Sequence, residues 1–389
     1  MSEWKEVTIS EIAFLKNGKK RPDTSGLIPV YGGNGIMDYV NTHNDEDCIA
    51  IGRVGAYCGC VYLTKGKVWI SDNAISAKAN SNADNNYLYY LLDSLNLNRH
   101  RIGGAQPLMT QDLIGRIKVF LPPLPTQRRT ASILSSLDDK IAINCRICEN
   151  LEAQAQALFK HWFIDFEPFR DQPFVESELG MIPEGWRVCK IGELPLYITD
   201  YVANGSFASL KENVTLYNEE NYAYFVRNTD LKDKTYKVYV DKHSYDFLSK
   251  SILYGGEIII SNVGDVGSVH LCPVLDKPMT LGNNIIMVKS EDKDLQNYLY
   301  ILFKYSYGKG LIRGITGGSA QPKFNKTDFK SLRVVIPSED SLRTLGSILG
   351  LYLQTLQAKD AESSRLSSLR DTLLPRLMSG EIKVGDVTL

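Results

Sequence analysis

The side chains with the clearest chemistry lie in short loops rich in cations and amides. Lys16, Lys19, Lys20 and Arg21 form a basic turn just ahead of Tyr31-Gly32-Gly33-Asn34-Gly35, and Arg99 and Arg101 precede a Gly-Gly-Ala-Gln-Pro loop that carries Gln106. Arg and Lys neutralise phosphates or pair with guanine edges, and Asn and Gln can bond adenine in two places, so loops presenting both can hold and read a duplex. The arrangement recurs later in the chain with Arg313, Gln321, Lys323 and Lys326, joined by Arg227, Asn228 and Asn262 on other turns. Any one of these residues would also suit a solvated loop whose Gly and Asn only make the turn. Their duplication favours binding.

Catalytic signatures do not accompany them. Gly33-Asn34-Gly35 leads into Asp38 instead of a third glycine, which fails the dinucleotide fingerprint, and no Lys-Ser or Lys-Thr pair closes a phosphate-cradling loop. Phe120-Leu121 precedes Pro122-Pro123, where an amino-methyltransferase site would need Asn or Asp. Cys145 and Cys148 form a single C-x-x-C within a helical pattern, without a second pair or a histidine at zinc spacing, so they read as thiols beside a packing seam. Glu381-Ile382-Lys383 lacks the preceding acidic strand end of a nuclease motif, and the five histidines share no spacing with a Gly-x-Ser-x-Gly elbow. The expectation is a chain with no catalytic residues, no metal and no cofactor of its own.

Bulk composition agrees with a local binding surface. Lys plus Arg number 44 against 45 for Asp plus Glu, so a net charge of −1 gives no general attraction to a polyanion. At 389 residues and 43% hydrophobic the chain has room for two or three ordinary domains. Seven scattered cysteines fit reduced thiols, and residues 1–5 lack the start of a signal peptide, which together suggest a cytoplasmic protein. The longest uncharged stretch, residues 344–358, carries Gln, Thr and Gly on a leucine period and reads as a packing helix, with no membrane role.

What must position the loops is a duplicated scaffold. Gln106-Pro107 recurs 215 residues later as Gln321-Pro322, and the same offset carries Pro122 onto Pro337, Ser132-Ile133-Leu134 onto Ser347-Ile348-Leu349, Leu151 onto Leu366 and Leu158 onto Leu373. Upstream, Trp4 matches Trp186 and Val54-Gly55 matches Val263-Gly264 at shorter offsets. Each copy ends in a helix of roughly 40 residues, about 60 Å long. The first carries Leu134, Leu137, Ile141, Asn144, Cys148, Leu151, Ala155, Leu158 and Trp162 at spacings of three and four; the second carries Leu349, Tyr352, Leu356, Lys359, Ser363, Leu366, Arg370, Leu373 and Leu377. Helices of that length cannot be buried by their own domains, so they are expected to pair as an antiparallel coiled coil, with Asn144 and Lys359 selecting the register. The predicted fold is α+β: a domain over 1–124, a central helix over 125–166, a linker and second domain over 167–336, and a C-terminal helix and tail over 337–389. Runs 48–62, 67–77, 257–262 and 285–289 read as strands, and 86–95 and 295–304 as short helices.

The sequence resembles the specificity subunit of Type I restriction-modification systems along essentially its whole length. The similar stretches are Pro29-Val-Tyr-Gly-Gly-Asn-Gly35; Ile51-Gly-Arg-Val-Gly55, which adds Arg53 to the candidate contacts; Gly103-Gly-Ala-Gln-Pro107; Leu121-Pro-Pro-Leu-Pro-Thr-Gln127; Ala157-Leu-Phe-Lys-His-Trp-Phe-Ile-Asp-Phe-Glu-Pro168; and Leu179-Gly-Met-Ile-Pro-Glu-Gly-Trp186. Thr126 stands where the family usually has Glu, and the second copy reads Ile336-Pro-Ser-Glu-Asp340 in place of a full proline-rich signature. The resemblance implies a non-catalytic reader of double-stranded DNA, with two target-recognition domains reading the halves of a split sequence. It also implies that the helices set the spacing, with an outer span of roughly 18 base pairs from helix length and base-pair rise, and dock two methyltransferase subunits that carry S-adenosylmethionine. A motor-nuclease subunit would join for cleavage. Two other readings remain at this point: a protein-binding scaffold, and a bilobal hydrolase with a cleft between the copies.

Overall fold

The computed structural model describes residues 4–103, 107–318 and 321–387, and falls into two compact units, residues 1–145 with 361–389, and residues 146–360. Gln106 lies outside the described residues.

In the first unit an antiparallel sheet has the order Ala13–Asn17, Ala74–Ala79, Ile49–Gly52, Val61–Leu63. In the second unit the order is Leu196–Asp200, Ile285–Ser290, Ile258–Ser261, Val269–Leu271, strand for strand the same. Each unit adds a second small sheet, a short helix (Asn85–Ser94 or Lys293–Lys304) and a two-stranded ladder, Lys5–Thr8 with Lys118–Leu121 or Arg187–Lys190 with Arg333–Ile336. The repeat seen in sequence is therefore a repeat of topology. The run 48–62, expected as one strand, is two, because Gly55 adopts φ 75° and opens a 3-10 turn over Gly55–Tyr57.

The long helices span Leu124–Phe159 and Glu339–Met378 and are packed together. Their direction follows from the contacts within each unit. Asp138 meets Arg370 (2.7 Å) and Asn144 meets Glu362 (3.1 Å) in the first, and Cys148 meets Asp360 (4.0 Å) in the second. Partner numbers fall as those of the first helix rise, so the pair is antiparallel. Leu134 and Leu137 join Leu373, Leu374 and Leu377 in the core of the first unit. In the second unit Ala155 and Phe159 join Leu345, Leu349 and Leu353, with Leu158, Tyr352 and Leu356 packed against them. Each fully buried leucine contributes about 2 kcal/mol by removal from water.

Between these ends the seam is polar. Ile141 and Leu151, expected in it, are only half-buried, while Asn144 is fully buried and donates to Glu362, which Lys140 also approaches. The partner of Asn144, one of the two polar positions expected to select the register, is Glu362. Trp162 leaves the seam: the helix widens into a π turn over Lys160–Ile164, and Trp162 packs edge-on against Phe169 at 5.6 Å. The aromatic residues of that turn continue through Phe163 and Phe166 to Trp186, which fixes the connection onto the second globular part.

The start of the first helix is held by one side chain. Gln127, 1% exposed, accepts from Asp84 N–H (2.9 Å) and donates to the Pro122 (2.8 Å) and Asn82 (3.3 Å) carbonyls. The helix starts at Leu124 with Thr126 in its first turn, and Pro125 occupies a position whose N–H would be unpaired anyway. In the second copy Leu342 stands at the equivalent place, and the Ser338 hydroxyl bonds Ser341 instead.

Two outcomes are expected. Gln127→Leu strands the Asp84 N–H and Pro122 carbonyl without partners and should cost about 1–3 kcal/mol, read as a lowered thermal midpoint; an unchanged midpoint would show that these bonds are dispensable. His270, on the strand Val269–Leu271, is held near pKa 4, chiefly by burial and then by Lys304. Between pH 6.5 and 4 the unfolded chain takes up this proton and the folded chain does not, so stability is intact above 6.5 and falls as pH drops through that window. Unfolding of His270→Gln followed between pH 7.5 and 4 should show a shallower loss, and an identical slope would exclude His270 as the source.

Candidate nucleic-acid interface

In each copy the fold brings the Val-Gly pair to the proline of the second loop singled out, Pro107 or Pro322. Gly55 N–H donates to the Pro107 carbonyl at 3.1 Å, and Gly264 N–H donates to the Pro322 carbonyl at 3.2 Å. Both glycines sit at positive φ, 75° and 80°, with open space where a Cβ would be, so the requirement is conformational and not steric. Ile102 and Leu108 exchange two backbone bonds (3.0 and 2.9 Å), as do Gly317 and Lys323 (both 2.9 Å).

In the first unit, Arg53 is fixed through its backbone, donating to Asn73 (2.9 Å) and accepting from Met109 (2.8 Å). Its guanidinium reaches the Asp72 carbonyl at 3.4 Å, and its Nε is buried without a partner. The Gly33-Asn34 turn lies beside it, since a Cβ at Gly33 would come within 3.6 Å of the Val54 carbonyl, and Asn34 itself is exposed. Lys19 bridges to Ser71 and leaves its side chain exposed, as Lys20 does; Arg101 is exposed at the neck of the 102–108 loop. Arg21 is paired with Asp38.

In the second unit a cleft of about 850 Å³ gathers Asn262, Lys323 and Lys326. Asn262 donates from Nδ2 to the Phe324 carbonyl (3.2 Å) and its backbone bonds Asn284 (3.1 Å) and Phe324 (3.1 Å), while its Oδ1 is buried without a partner. Lys323 and Gln321 are exposed. Lys326, at the start of the helix Lys326–Ser331, points to Asp200 at 3.2 Å, so much of its charge is answered within the chain. The equivalent pair in the first unit is neutral: Gln111, with its amide turned toward Leu15 O (3.2 Å), accepts from Asn17 N–H (2.6 Å).

The remaining candidates stand apart from the cleft. Arg313 ends the helix Ser306–Gly314 and bonds the Lys309 carbonyl (3.3 Å). Arg227 grips the buried Asp230 with Nε (2.9 Å) and Nη2 (2.6 Å), which raises its pKa further, so it braces the helix Asn228–Asp233 before anything else. Asn228 reaches Asp265 at 3.5 Å. Two residues absent from the sequence reading complete the cleft: Phe207, 80% exposed, and Lys211, one turn further along the helix Phe207–Asn213. Ser206, whose hydroxyl accepts from Ser209 N–H, marks that helix start and was the available signal.

Among the described residues no group of three His, Cys, Asp or Glu is placed to hold a metal ion, and no helix is long and apolar enough to cross a membrane. Loops that present cations and amides from twin scaffolds suit recognition of a polyanion with ordered edges.

Comparison with known proteins agrees. The chain is 27% identical over 316 residues to the specificity subunit of the Type I restriction enzyme MjaIX from Methanocaldococcus jannaschii, covering 77% of this chain and 70% of that one. It is 24% identical over 342 residues to that of the enzyme HindI from Haemophilus influenzae, covering 72% of each. The crystal structure of a Type I restriction-modification S subunit from M. genitalium superposes with TM-score 0.62 over 96% of both chains at 18% identity, which supports the fold. The family described as the Type I restriction modification DNA specificity domain matches residues 1–153 and 183–361. That match covers most of the chain, and the chain belongs to the Type I restriction-modification DNA specificity family.

Proposed function

We propose that residues 1–124 and 167–336 each read one half of a bipartite DNA target, and that the paired helices fix the distance between the halves. Specificity subunits are the non-catalytic, target-recognising members of Type I restriction-modification complexes, and S-adenosylmethionine belongs to the methyltransferase subunit. The observation that carries the reading is the duplicated loop pair, Gly55 to Pro107 and Gly264 to Pro322, which presents equivalent surfaces from two equivalent sheets. Lys19, Lys20, Asn34, Arg53 and Arg101 serve the first half-site, and Asn262, Gln321, Lys323 and Lys326 the second, with Lys211 and Phe207 added from the cleft. Arg21, Arg227 and Lys326 act with their acids, as oriented donors instead of free cations. Two methyltransferase subunits would dock on the helices, and a motor-nuclease subunit would join them for cleavage.

Two measurements test this on the assembled complex. Lys323→Ala with Lys211→Ala should weaken binding to all sequences alike and reduce the slope of log affinity against log salt by roughly 0.9 for each phosphate that is no longer neutralised; an unchanged slope would place the backbone contacts elsewhere. Inserting seven residues after Arg146 together with seven after Asp360 keeps the antiparallel register and lengthens the pair by about 10 Å, so the methylated half-sites should separate by about 3 base pairs. Methylation mapped at the original spacing would remove the spacing role.

A further inference from the structure

The repeat allows each contact between the long helices to be compared with its own duplicate, and the duplicates do not match. In the first unit Asp138 sits at the centre of a polar cluster. Its Oδ1 accepts from Arg370 at 2.7 Å and its Oδ2 from the hydroxyl of Tyr90 at 2.6 Å, with Asp138 and Arg370 both about two-thirds buried and Tyr90 3% exposed. The 215-residue offset carries Asp138 onto Leu353 and Arg370 onto Ala155. Those two residues, 4% and 0% exposed, share the apolar core of the second unit. The same holds one turn further on: Asn144, fully buried and bonded to Glu362, is replaced in the equivalent contact by Lys359 and Ile147.

These differences matter because the two helices occupy equivalent places in the repeat. Each copy supplies one globular part and one helix, so the helix of one copy could pair with the same helix of a second chain in the same antiparallel geometry. Two first helices would bring Asp138 opposite Ala155 of the second chain and Asn144 opposite Ile147. Asp138 would keep Tyr90, which belongs to its own copy, but would lose the guanidinium and stay partly buried beside a methyl group. Two second helices would bring Arg370 opposite Leu353, where it would keep Asp371 of its own helix (2.8 and 2.9 Å) and lose Asp138, so the stronger penalty falls on Asp138. A buried charge whose partner has been taken away is strongly disfavoured, whereas a pair buried with complete hydrogen bonding is tolerated. One buried polar contact in an apolar seam is a known means of selecting partner and register.

We propose that the Tyr90–Asp138–Arg370 cluster, seconded by Asn144–Glu362, makes the helix seam a heterotypic surface: it accepts the unlike helix and rejects a second copy of the same one. The occupant it fits is the other half of this chain, and the excluded occupant is an identical half from a neighbouring chain. Such a rule keeps two unequal reading domains on one rod and prevents assemblies with two equal ones. It does not depend on how either domain contacts DNA.

The test begins with the full, folded chain carrying a protease site between Asp171 and Gln172, in the exposed turn after the first helix. After cleavage and prolonged incubation, native mass spectrometry counts pairs of unlike and like fragments. The unaltered seam should hold unlike pairs in at least tenfold excess, and so should D138R/R370D, which reverses the charges but keeps the rule. D138L/R370A gives the first unit the residues of the second and should relax toward the statistical mixture of like and unlike pairs. Like pairs from the unaltered seam, or a tenfold excess of unlike pairs from D138L/R370A, would overturn the proposal. If D138L/R370A does not fold, the single variant D138R decides: recovery of unlike pairs should fall about tenfold and return when R370D is added, and failure to return would overturn it equally.

Discussion

A long amphipathic helix that follows a small domain has more apolar stripe than that domain can cover, and this constraint shapes the rest of the molecule. Leu134 and Leu137 of the first helix lie in one core, and Ala155 and Phe159 of the same helix lie in another. The second helix divides likewise, with Leu345, Leu349 and Leu353 in one core and Leu373 and Leu377 in the other. Neither helix is therefore a cover for a single domain, and neither unit is complete without a stretch of both. Each core therefore depends on pairings far apart in sequence, like that of Asp138 with Arg370 in the first unit, which tends to slow folding.

Apolar ends and a polar middle divide the labour along the pair. Leucines at the ends supply affinity through burial, and they tolerate volume-conserving exchange such as Leu for Ile or Met. Asn144 contributes little net stability, since a buried amide must recover in hydrogen bonds what it loses in solvation. Its value is that it bonds Glu362 in the observed register, and a buried polar contact of this kind is a means of selecting one.

Much of this was legible before any coordinates. The gap-free offset through both helices required a repeat, and the three-four spacing required a shared seam; both are periodic signals that summed over many residues outweigh local exceptions. What stayed hidden depends on single side chains meeting across long sequence separations. Lys326 and Asp200 lie 126 residues apart, so nothing in the local pattern showed that this lysine is half-neutralised. Arg227 was different: Asp230 three residues on is a helix-start signature, and its grip on the arginine could have been read. Trp162 fits the seam by spacing alone, yet the aromatic cluster running through Phe163 and Phe166 to Trp186 draws the chain into a π turn. Gln127 reads as any polar helix residue until Asp84 and Pro122 close around it.

The charge balance of the reading loops bears on how such a chain can be specific at a net charge of −1. Several cations that could have been free are held by acids of the same unit: Arg21 by Asp38, Arg227 by Asp230 and Lys326 by Asp200. Pairing reduces long-range attraction to phosphate, which acts on every sequence equally, but it fixes the direction of the remaining donors, which is what discriminates one base edge from another. A reader built this way gains little from DNA in general and loses much when an edge is wrong, because the oriented donor then lies buried against a group that cannot accept. On the proposed reading, general affinity would come from the exposed lysines, Lys19, Lys20 and Lys323 among them, and from cationic surface on the other subunits of the complex. Separating the two roles lets the reading loops change without altering the hold on the backbone.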